Sequence, residues 1–161
     1  MSKVTMEITV RSRIFFEILR EAEKEAWFFE KYRVISVNSV LMPEEPPFSQ
    51  QYWQAENVRI LYFDDLDDPD SPFQRGGRFM TEADAEAIAQ FVERPDPRPI
   101  FVHCTAGISR SGAIGACLNE YFNKKISLDE AAHESFWKNH PDLIPNKLVM
   151  KLLGKRLGLE R

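Results

Sequence analysis

Apolar residues recur along the chain with two different spacings, and stretches with each spacing alternate. Short apolar runs rich in β-branched residues predict buried strands at 6–10, 32–37, 58–63 and 100–102. Apolar residues at helical spacing predict helices at 13–27, 82–93, 111–123 and 128–138, and a last one after Asn146. This alternation predicts an α/β fold, a three-layer sandwich in which helices flank a central, mostly parallel sheet of four to five strands.

Polar residues that cap helices mark where several of these helices begin. Ser12 and Asn146 each precede a predicted helix, and Thr81 is followed three residues later by Asp84. The segment 127–130 reads Ser-Leu-Asp-Glu, which has the spacing of a capping box. We therefore expect Ser12, Thr81, Ser127 and Asn146 to be N-cap residues.

Length and composition narrow the class of protein. A chain of 161 residues with 43% apolar and 29% charged residues suits one globular domain spanning 1–161, and we expect a monomer. The net charge of −4 gives no reason to expect nucleic acid or an anionic membrane as partner, and no stretch resembles a membrane span or a signal peptide. Two cysteines favour a reducing compartment, so we expect a cytoplasmic protein.

The chemistry of the chain is concentrated in residues 99–112, where a short apolar strand leads through a loop into a helical pattern starting near Arg110. The N–H groups at a helix start lack intrahelical partners and the helix dipole is positive there, so such a loop suits an anion. A cysteine, Cys104, lies at the start of the loop and Arg110 closes it. A helix start and a nearby cation favour the thiolate form of a cysteine, which is the nucleophilic form.

Each residue of this loop has an expected part in holding a phosphate. The N–H groups of the loop can surround phosphate oxygens, and Arg110 can bind two of them at once through its planar fork. Gly107 permits a positive φ or a close approach of oxygen. Ser111 can hydrogen-bond the Cys104 sulfur and help it leave, and His103 orients the loop rather than acting as a base. The expected phosphate-binding residues are Thr105, Ala106, Gly107, Ile108, Ser109 and Arg110.

The pattern His103-Cys104-x-x-Gly107-x-x-Arg110-Ser111 resembles the phosphate loop of cysteine-based protein tyrosine phosphatases, and the run 106–111 is most similar to the dual-specificity branch. The order of residues from 101 to 153, including Ile-Pro-Asn at 144–146, is also similar to that branch, whereas the resemblance before Val58 is much weaker. The resemblance implies phosphomonoester hydrolysis through a phosphocysteine, without a metal or other cofactor. It also implies that phosphate, sulfate or vanadate can occupy the loop.

The resemblance further implies an aspartate that protonates the leaving oxygen and later activates water. Five aspartates follow the strand at 58–63: Asp64, Asp65, Asp67, Asp68 and Asp70. The family pattern of alternating apolar residues before the aspartate favours Asp65, because Leu61 and Phe63 share one strand face and Asp65 continues it. Asp64 is the second candidate and Asp68 the third.

Other parts of the chain have two open interpretations each. The segment 66–79 is longer than the loop that usually carries the general acid in this family, and it contains Gly76 and Gly77 between Arg75 and Arg78. It is either a lid whose arginines contact an anionic substrate or an insertion at the surface. Three aromatic residues line either a substrate pocket or, as we favour, the edge of the core: Phe48, Tyr52 and Trp53. His133 and His140 are expected to be surface or packing residues, and Cys117 a core residue.

Several functions use a loop of this kind. The expected substrate is a phosphorylated protein, on tyrosine or with dual specificity, or a small phosphomonoester. Phosphoinositide phosphatases usually place lysines in the loop, and this loop has none. An RNA 5′-phosphate phosphatase would favour a basic surface, and this chain is acidic. A nucleotide phosphatase is a further alternative. A sulfurtransferase does not need the pair of an aspartate and Ser111, and an arsenate reductase usually carries its loop near the amino terminus. A phosphate-binding module without turnover is the alternative outside enzymes.

Overall fold

The structure is a computed structural model, and it describes residues 5–71 and 76–159. Four strands and six α-helices lie along these residues; the strands follow the predicted order, and one predicted helix is divided into two. A 3₁₀ turn at Gln50–Tyr52 and a π-helix at Glu120–Ile126 complete the regular structure. The elements are β1 (Ile8–Ser12), α1 (Arg13–Glu21), α2 (Glu25–Lys31), β2 (Arg33–Asn38), β3 (Val58–Tyr62), α3 (Glu82–Glu93), β4 (Ile100–Cys104), α4 (Arg110–Asn119), α5 (Glu130–Asn139) and α6 (Lys147–Arg156).

The strands form one parallel sheet in the order β1-β4-β2-β3. β4 therefore lies between β1 and β2, with Val102 paired to Val10 on one side and to Ile35 on the other. Parallel sheets have both faces covered, which explains why every residue of β2 is buried. The predicted α/β fold with a mostly parallel sheet is confirmed, with four strands in the described part of the chain.

Helices cover both faces of the sheet. On one face α3, α4, α5 and α6 pack over alternate strand residues such as Ile35, Val37 and Val102. On the other face α1, α2 and Phe48 pack over residues that point the opposite way, such as Val34 and Phe101. The result is the predicted three-layer sandwich, with a largely aliphatic core on the first face and a largely aromatic one on the second.

The long helix predicted at 13–27 is wrong, because the chain turns between α1 and α2. Glu23 adopts a φ of 57°, and the Lys24 N–H bonds to the Leu19 carbonyl at 3.0 Å. This turn lets Phe28 of α2 pack edge-on against Phe16 of α1, with ring centroids 5.6 Å apart. Ser12 does occupy the N-cap position of α1, but its side chain makes no capping hydrogen bond.

The caps of the later helices are partly as predicted. Thr81 and Asp84 form the capping box of α3, and the Asn146 side chain accepts the Val149 N–H at the start of α6, so both predictions are confirmed. The capping box at 127–130 is wrong: Asp129 caps α5 by accepting the Ala132 N–H, and Ser127 is buried instead. The helix predicted at 111–123 begins at Arg110 and continues past Asn119 as the π-helix.

The residues singled out in the sequence lie at one edge of the sheet. Because all strands run the same way, their carboxyl ends meet at this edge, where β4 leads into the loop at 104–110 and β3 into the aspartate-rich segment. Within the described residues, no helix combines the length and the apolar character needed to cross a membrane.

Candidate active site

The loop between Cys104 and Arg110 joins the last residue of the inner strand β4 to the first residue of α4. Cys104 is buried, with 2% of its surface exposed, and Arg110 is 4% exposed. Of the other expected phosphate-binding residues, Thr105, Ala106 and Ile108 are exposed, and Gly107 and Ser109 are half-buried. The sequence thus predicted the strand, loop and helix arrangement correctly.

Gly107 shapes the loop because it lies directly against the end of β1. Its φ is 74°, and a Cβ there would lie 2.5 Å from both the Arg11 carbonyl carbon and the Ser12 nitrogen. A side chain would therefore meet rigid backbone in a conformation that L residues rarely adopt. The loop can curl onto β1 in this way only with glycine at this position.

The sulfur of Cys104 lies among hydrogen-bond donors. The Gly107 N–H donates to the sulfur at 3.3 Å, and the Ser111 hydroxyl lies 3.0 Å from it. The sulfur also lies close to the N-terminus of α4, which begins at Arg110. The Gly107 N–H and the positive end of the helix dipole both favour an anion at this place in the loop.

Arg110 is held in place by groups from three different segments. Its Nη1 donates to Ser39 Oγ at 2.9 Å and to the Phe63 carbonyl at 2.8 Å, and its Nη2 donates to Thr105 Oγ1 at 2.8 Å. Its buried Nε has no hydrogen-bond partner among the described residues. The guanidinium is thus fixed by its outer nitrogens. Two of its five N–H donors, the one on Nε and the second on Nη2, are not used in these bonds.

Glu44 supports this arrangement and was not predicted from the sequence. Its carboxylate accepts the Thr105 hydroxyl at 2.9 Å and the Ser39 N–H at 2.8 Å, and it lies 3.6 Å from Arg13 Nη1. Burial opposes its ionisation, but the hydrogen bonds from Ser39 and Thr105 and the charge of Arg13 outweigh burial and lower the pKa of Glu44. The only sequence signal was its place in a proline-rich loop that follows a strand.

His103 is completely buried on the other face of β4 and anchors the loop from below. Its Nδ1 faces the Cys104 carbonyl at 3.2 Å, and a carbonyl can only accept, so Nδ1 carries the hydrogen. Nε2 then accepts from the Ser36 hydroxyl at 2.6 Å, and Ser36 in turn accepts from the Asn38 amide at 3.1 Å. Burial lowers the pKa of His103 to about 4, so the ring is neutral at pH 7.

The structure separates the three candidate aspartates. Asp65 is exposed, and its Oδ1 accepts the Ser109 hydroxyl at 2.7 Å and the Asn146 amide at 2.9 Å. It therefore lies beside the loop at 104–110, the position expected of a general acid from the sequence. Asp68 is exposed and accepts the Asp70 N–H at 3.0 Å, within its own segment.

Asp64 is buried, and its carboxylate accepts hydrogen bonds from backbone N–H groups. Its two oxygens accept the N–H groups of Val40 and Leu41, each at 3.0 Å, and of Arg78 at 2.8 Å. Burial opposes its ionisation, but these bonds and the charge of Arg110 lower the pKa of Asp64. A carboxylate committed to three N–H groups is a structural anchor, which makes Asp64 a poor proton donor.

The segment 66–79 is tied down at its far end. Arg78 donates to the Tyr62 carbonyl and pairs with Asp84 at 3.1 Å, so its guanidinium serves the fold and not a substrate in this structure. Gly77 lies close to Asp64, since a Cβ there would be 3.3 Å from its Oδ2. Arg75, the other arginine of the lid interpretation, lies outside the described residues.

The remaining residues singled out in the sequence lie away from the reacting groups. Phe48 belongs to the aromatic core with Tyr52 and Trp53 packed against it, which confirms the core interpretation. His140 is buried, bonded to the Val10 N–H at 3.0 Å and the Phe136 carbonyl at 2.7 Å. Cys117 is buried in α4, as predicted. The described residues contain no group of three or more His, Cys, Asp or Glu side chains that could hold a metal ion.

Comparison with known proteins supports this interpretation of the fold. Residues 76–150 match the family described as DSP-PTPase phosphatase fused to NAD+ kinase. The solved structure of PTPMT1 in complex with PI(5)P has 15% sequence identity and a TM-score of 0.52, and the alignment covers 98% of this chain and 94% of that one. A mutant form of Tk-PTP has 20% identity and a TM-score of 0.50, with 96% and 93% covered.

A second structure of PTPMT1 has 17% identity and a TM-score of 0.51, with 97% of this chain and 92% of that chain covered. The chain matches no curated protein. At these identities the likeness concerns the fold, and the alignments extend over nearly the whole chain, including the part before Val58 where the sequence resemblance was weak. Together with the family match, they show that this chain has the fold of the dual-specificity, cysteine-based phosphatases.

Proposed function

We propose that the protein hydrolyses phosphomonoesters through a phosphocysteine on Cys104. The observation that carries this proposal is the arrangement around the sulfur: Gly107 N–H and Ser111 within 3.3 Å, and Arg110 fixed beside them with its Nε unpartnered. A loop that stabilises an electron-rich sulfur and offers donors for an oxyanion at the same place suits attack on phosphorus.

Two steps account for the reaction. In the first, the Cys104 sulfur attacks phosphorus, the P–S bond forms, and the bond to the ester oxygen breaks as Asp65 gives that oxygen a proton. In the second, ionised Asp65 takes a proton from a water that attacks phosphorus; the P–S bond breaks, and the leaving sulfur is stabilised by Ser111. Arg110 and the loop N–H groups hold the phosphoryl oxygens in both steps.

A phosphorylated protein side chain or a small aryl phosphate is the substrate class we favour. Two exposed apolar side chains lie at the loop: Ile108 is part of it, and the N–H of Ile144 bonds to the Ile108 carbonyl at 3.2 Å. Such a rim suits an aromatic or peptide group better than a highly charged headgroup. Since one structural relative was crystallised with PI(5)P, a phosphoinositide is the substrate to compare.

The test is hydrolysis of p-nitrophenyl phosphate by the wild type and by Cys104→Ser, with Cys117→Ser as the matched control because it changes the other buried cysteine. We expect Cys104→Ser to abolish turnover while still binding vanadate, and Cys117→Ser to retain turnover. Asp65→Asn should lower the rate about 10²-fold, the lower end of the usual contribution of a general acid. Turnover that survives Cys104→Ser would contradict the mechanism.

The same preparation tests the remaining parts of the proposal. We propose that residues 1–161 act as one phosphatase domain, as a monomer and in the cytoplasm, without a cofactor. Turnover should be the same in the presence of a chelator, and the active species should elute as a monomer in size-exclusion chromatography. A strict requirement for Mg²⁺ would contradict the metal-free mechanism.

A further inference from the structure

Asn146 has more hydrogen bonds than an N-cap residue needs. Its Oδ1 accepts the Val149 N–H at 3.0 Å, which caps α6 and identifies which end of the amide is oxygen. Its Nδ2 donates in the opposite direction, to Asp65 Oδ1 at 2.9 Å and to the Leu66 carbonyl at 3.2 Å. The amide oxygen thus caps α6, and the amide nitrogen binds the segment that contains Asp65.

The backbone on each side of this contact is fixed to the phosphate loop. The Asn146 N–H donates to the Ser109 carbonyl at 3.0 Å, and the Ile144 N–H donates to the Ile108 carbonyl. Ser109 also donates its hydroxyl to Asp65 at 2.7 Å. Asp65, Ser109 and Asn146 therefore form a closed set of contacts, with Asn146 5% exposed at its centre.

We propose that Asn146 is the positioning residue of the general acid, an inference that rests on the function proposed above. An amide N–H can only donate, so the oxygen of Asp65 that faces Asn146 must accept. This assigns Oδ1 as the accepting oxygen and leaves Oδ2 to carry the proton to the leaving group. Because the same asparagine is bonded to Ser109, the acid is placed relative to the loop that holds the phosphate.

The inference separates positioning from capping, because other residues can cap a helix without donating. Asn146→Ser keeps a good N-cap oxygen but removes the amide NH2 that donates to Asp65, and its shorter side chain has only the capping hydroxyl. Asn146→Asp keeps the cap as well and places a second carboxylate against the acid. Asp129→Ala is the matched control, because it removes the cap of α5, where Asp129 accepts the Ala132 N–H at 3.0 Å.

The readout is the dependence of kcat/KM on the leaving group. A phenolate of low basicity, from 2,4-dinitrophenyl phosphate, departs without a proton, whereas phenyl phosphate requires one. For Asn146→Ser we expect kcat/KM to fall about 10-fold to 10²-fold with phenyl phosphate, the range for a misplaced catalytic group, and much less with the dinitrophenyl ester. Asn146→Asp should lose at least as much, and Asp129→Ala should show the same leaving-group dependence as the wild type.

Different failures point to different parts of the reasoning. Equal losses on both esters in Asn146→Ser, in a variant that melts within a few degrees of the wild type, would overturn the positioning role alone. No loss on phenyl phosphate would overturn it too. If the wild type shows no Cys104-dependent hydrolysis of the dinitrophenyl ester, the proposed phosphatase function itself fails, and the role of Asn146 fails with it.

Discussion

Replacing Gly107 with alanine tests whether the shape of the phosphate loop depends on contact with β1. The new Cβ would occupy a φ of 74° and lie 2.5 Å from the Arg11 carbonyl carbon and from the Ser12 nitrogen. The left-handed conformation costs an L residue about 1–2 kcal/mol. Crowding a packed site adds about 1–3 kcal/mol. We therefore expect the free energy of unfolding of Gly107→Ala to fall by about 2–5 kcal/mol.

Gly158→Ala is a matched control because it shares the conformation but not the clash with backbone atoms. Gly158 has a φ of 70°, and its Cβ would lie 2.7 Å from Lys125 Nζ, the end of a flexible side chain that can move. Its free energy of unfolding should fall only by the cost of the left-handed backbone conformation, about 1–2 kcal/mol. The difference between the two variants measures the contact of the loop with β1.

Urea unfolding followed by tryptophan fluorescence gives the two free energies, provided that the slope of the transition is unchanged. Vanadate binding, measured on the same proteins, should weaken in Gly107→Ala and stay at the wild-type level in Gly158→Ala. Equal losses of stability in the two variants would refute the argument that the loop rests on the backbone of β1.

Two other predictions concern buried titratable groups. Because the pKa of His103 is about 4 in the folded protein and its ordinary value is about 6.5, the unfolded chain binds this proton first as pH falls. Folded stability should therefore decrease below about pH 6.5, by about 3 kcal/mol near pH 4, when measured by urea unfolding across this range. A His103→Asn variant should lose that part of the pH dependence, and a His133→Asn control should keep it; identical pH profiles would contradict the assignment. Asp64→Asn should lower the free energy of unfolding at pH 7 by about 1–3 kcal/mol, because an amide cannot accept from the three N–H groups as the carboxylate does; a stability within error of the wild type would show that Asp64 is not an anchor.

Much of the fold follows from patterns that are local in the chain. Successive strand residues such as Val34 and Ile35 point to opposite faces of the sheet, and both are apolar. This pattern is enough to predict a parallel sheet that is buried on both faces. The turn at Glu23 could not be predicted in this way, because the apolar spacing of α1 continues without a glycine or proline to break it. It forms because Phe28 packs against Phe16, a contact that depends on the tertiary fold.

The capping of α5 shows the limit of local signals. Ser127 and Asp129 are both good N-cap residues, and the glutamate three residues after Ser127 favoured the serine. In the structure Leu128 takes a φ of 52°, which leaves Asp129 at the helix start. Sequence spacing alone does not reveal which of two nearby candidate residues is the N-cap of the helix.

In the candidate site too, some residues could be predicted from the local sequence and others could not. Cys104, Gly107 and Arg110 were predictable because one short loop contains them. The groups that hold this loop, such as Glu44 and Asn146, are distant in sequence from the residues they contact: Glu44 lies 61 positions from Thr105, and Asn146 lies 81 positions from Asp65. No periodicity connects such pairs, so only the folded chain identifies them.

The way Arg110 is held has a consequence for ligand affinity. Its guanidinium already has partners in Ser39, Phe63 and Thr105, so an arriving oxyanion does not have to immobilise a flexible side chain. Ordering one such side chain at an interface costs about 0.5–1.5 kcal/mol. Inorganic phosphate, the product of the proposed reaction, would meet the same rigid receptor, so we expect product inhibition that slows turnover as phosphate accumulates.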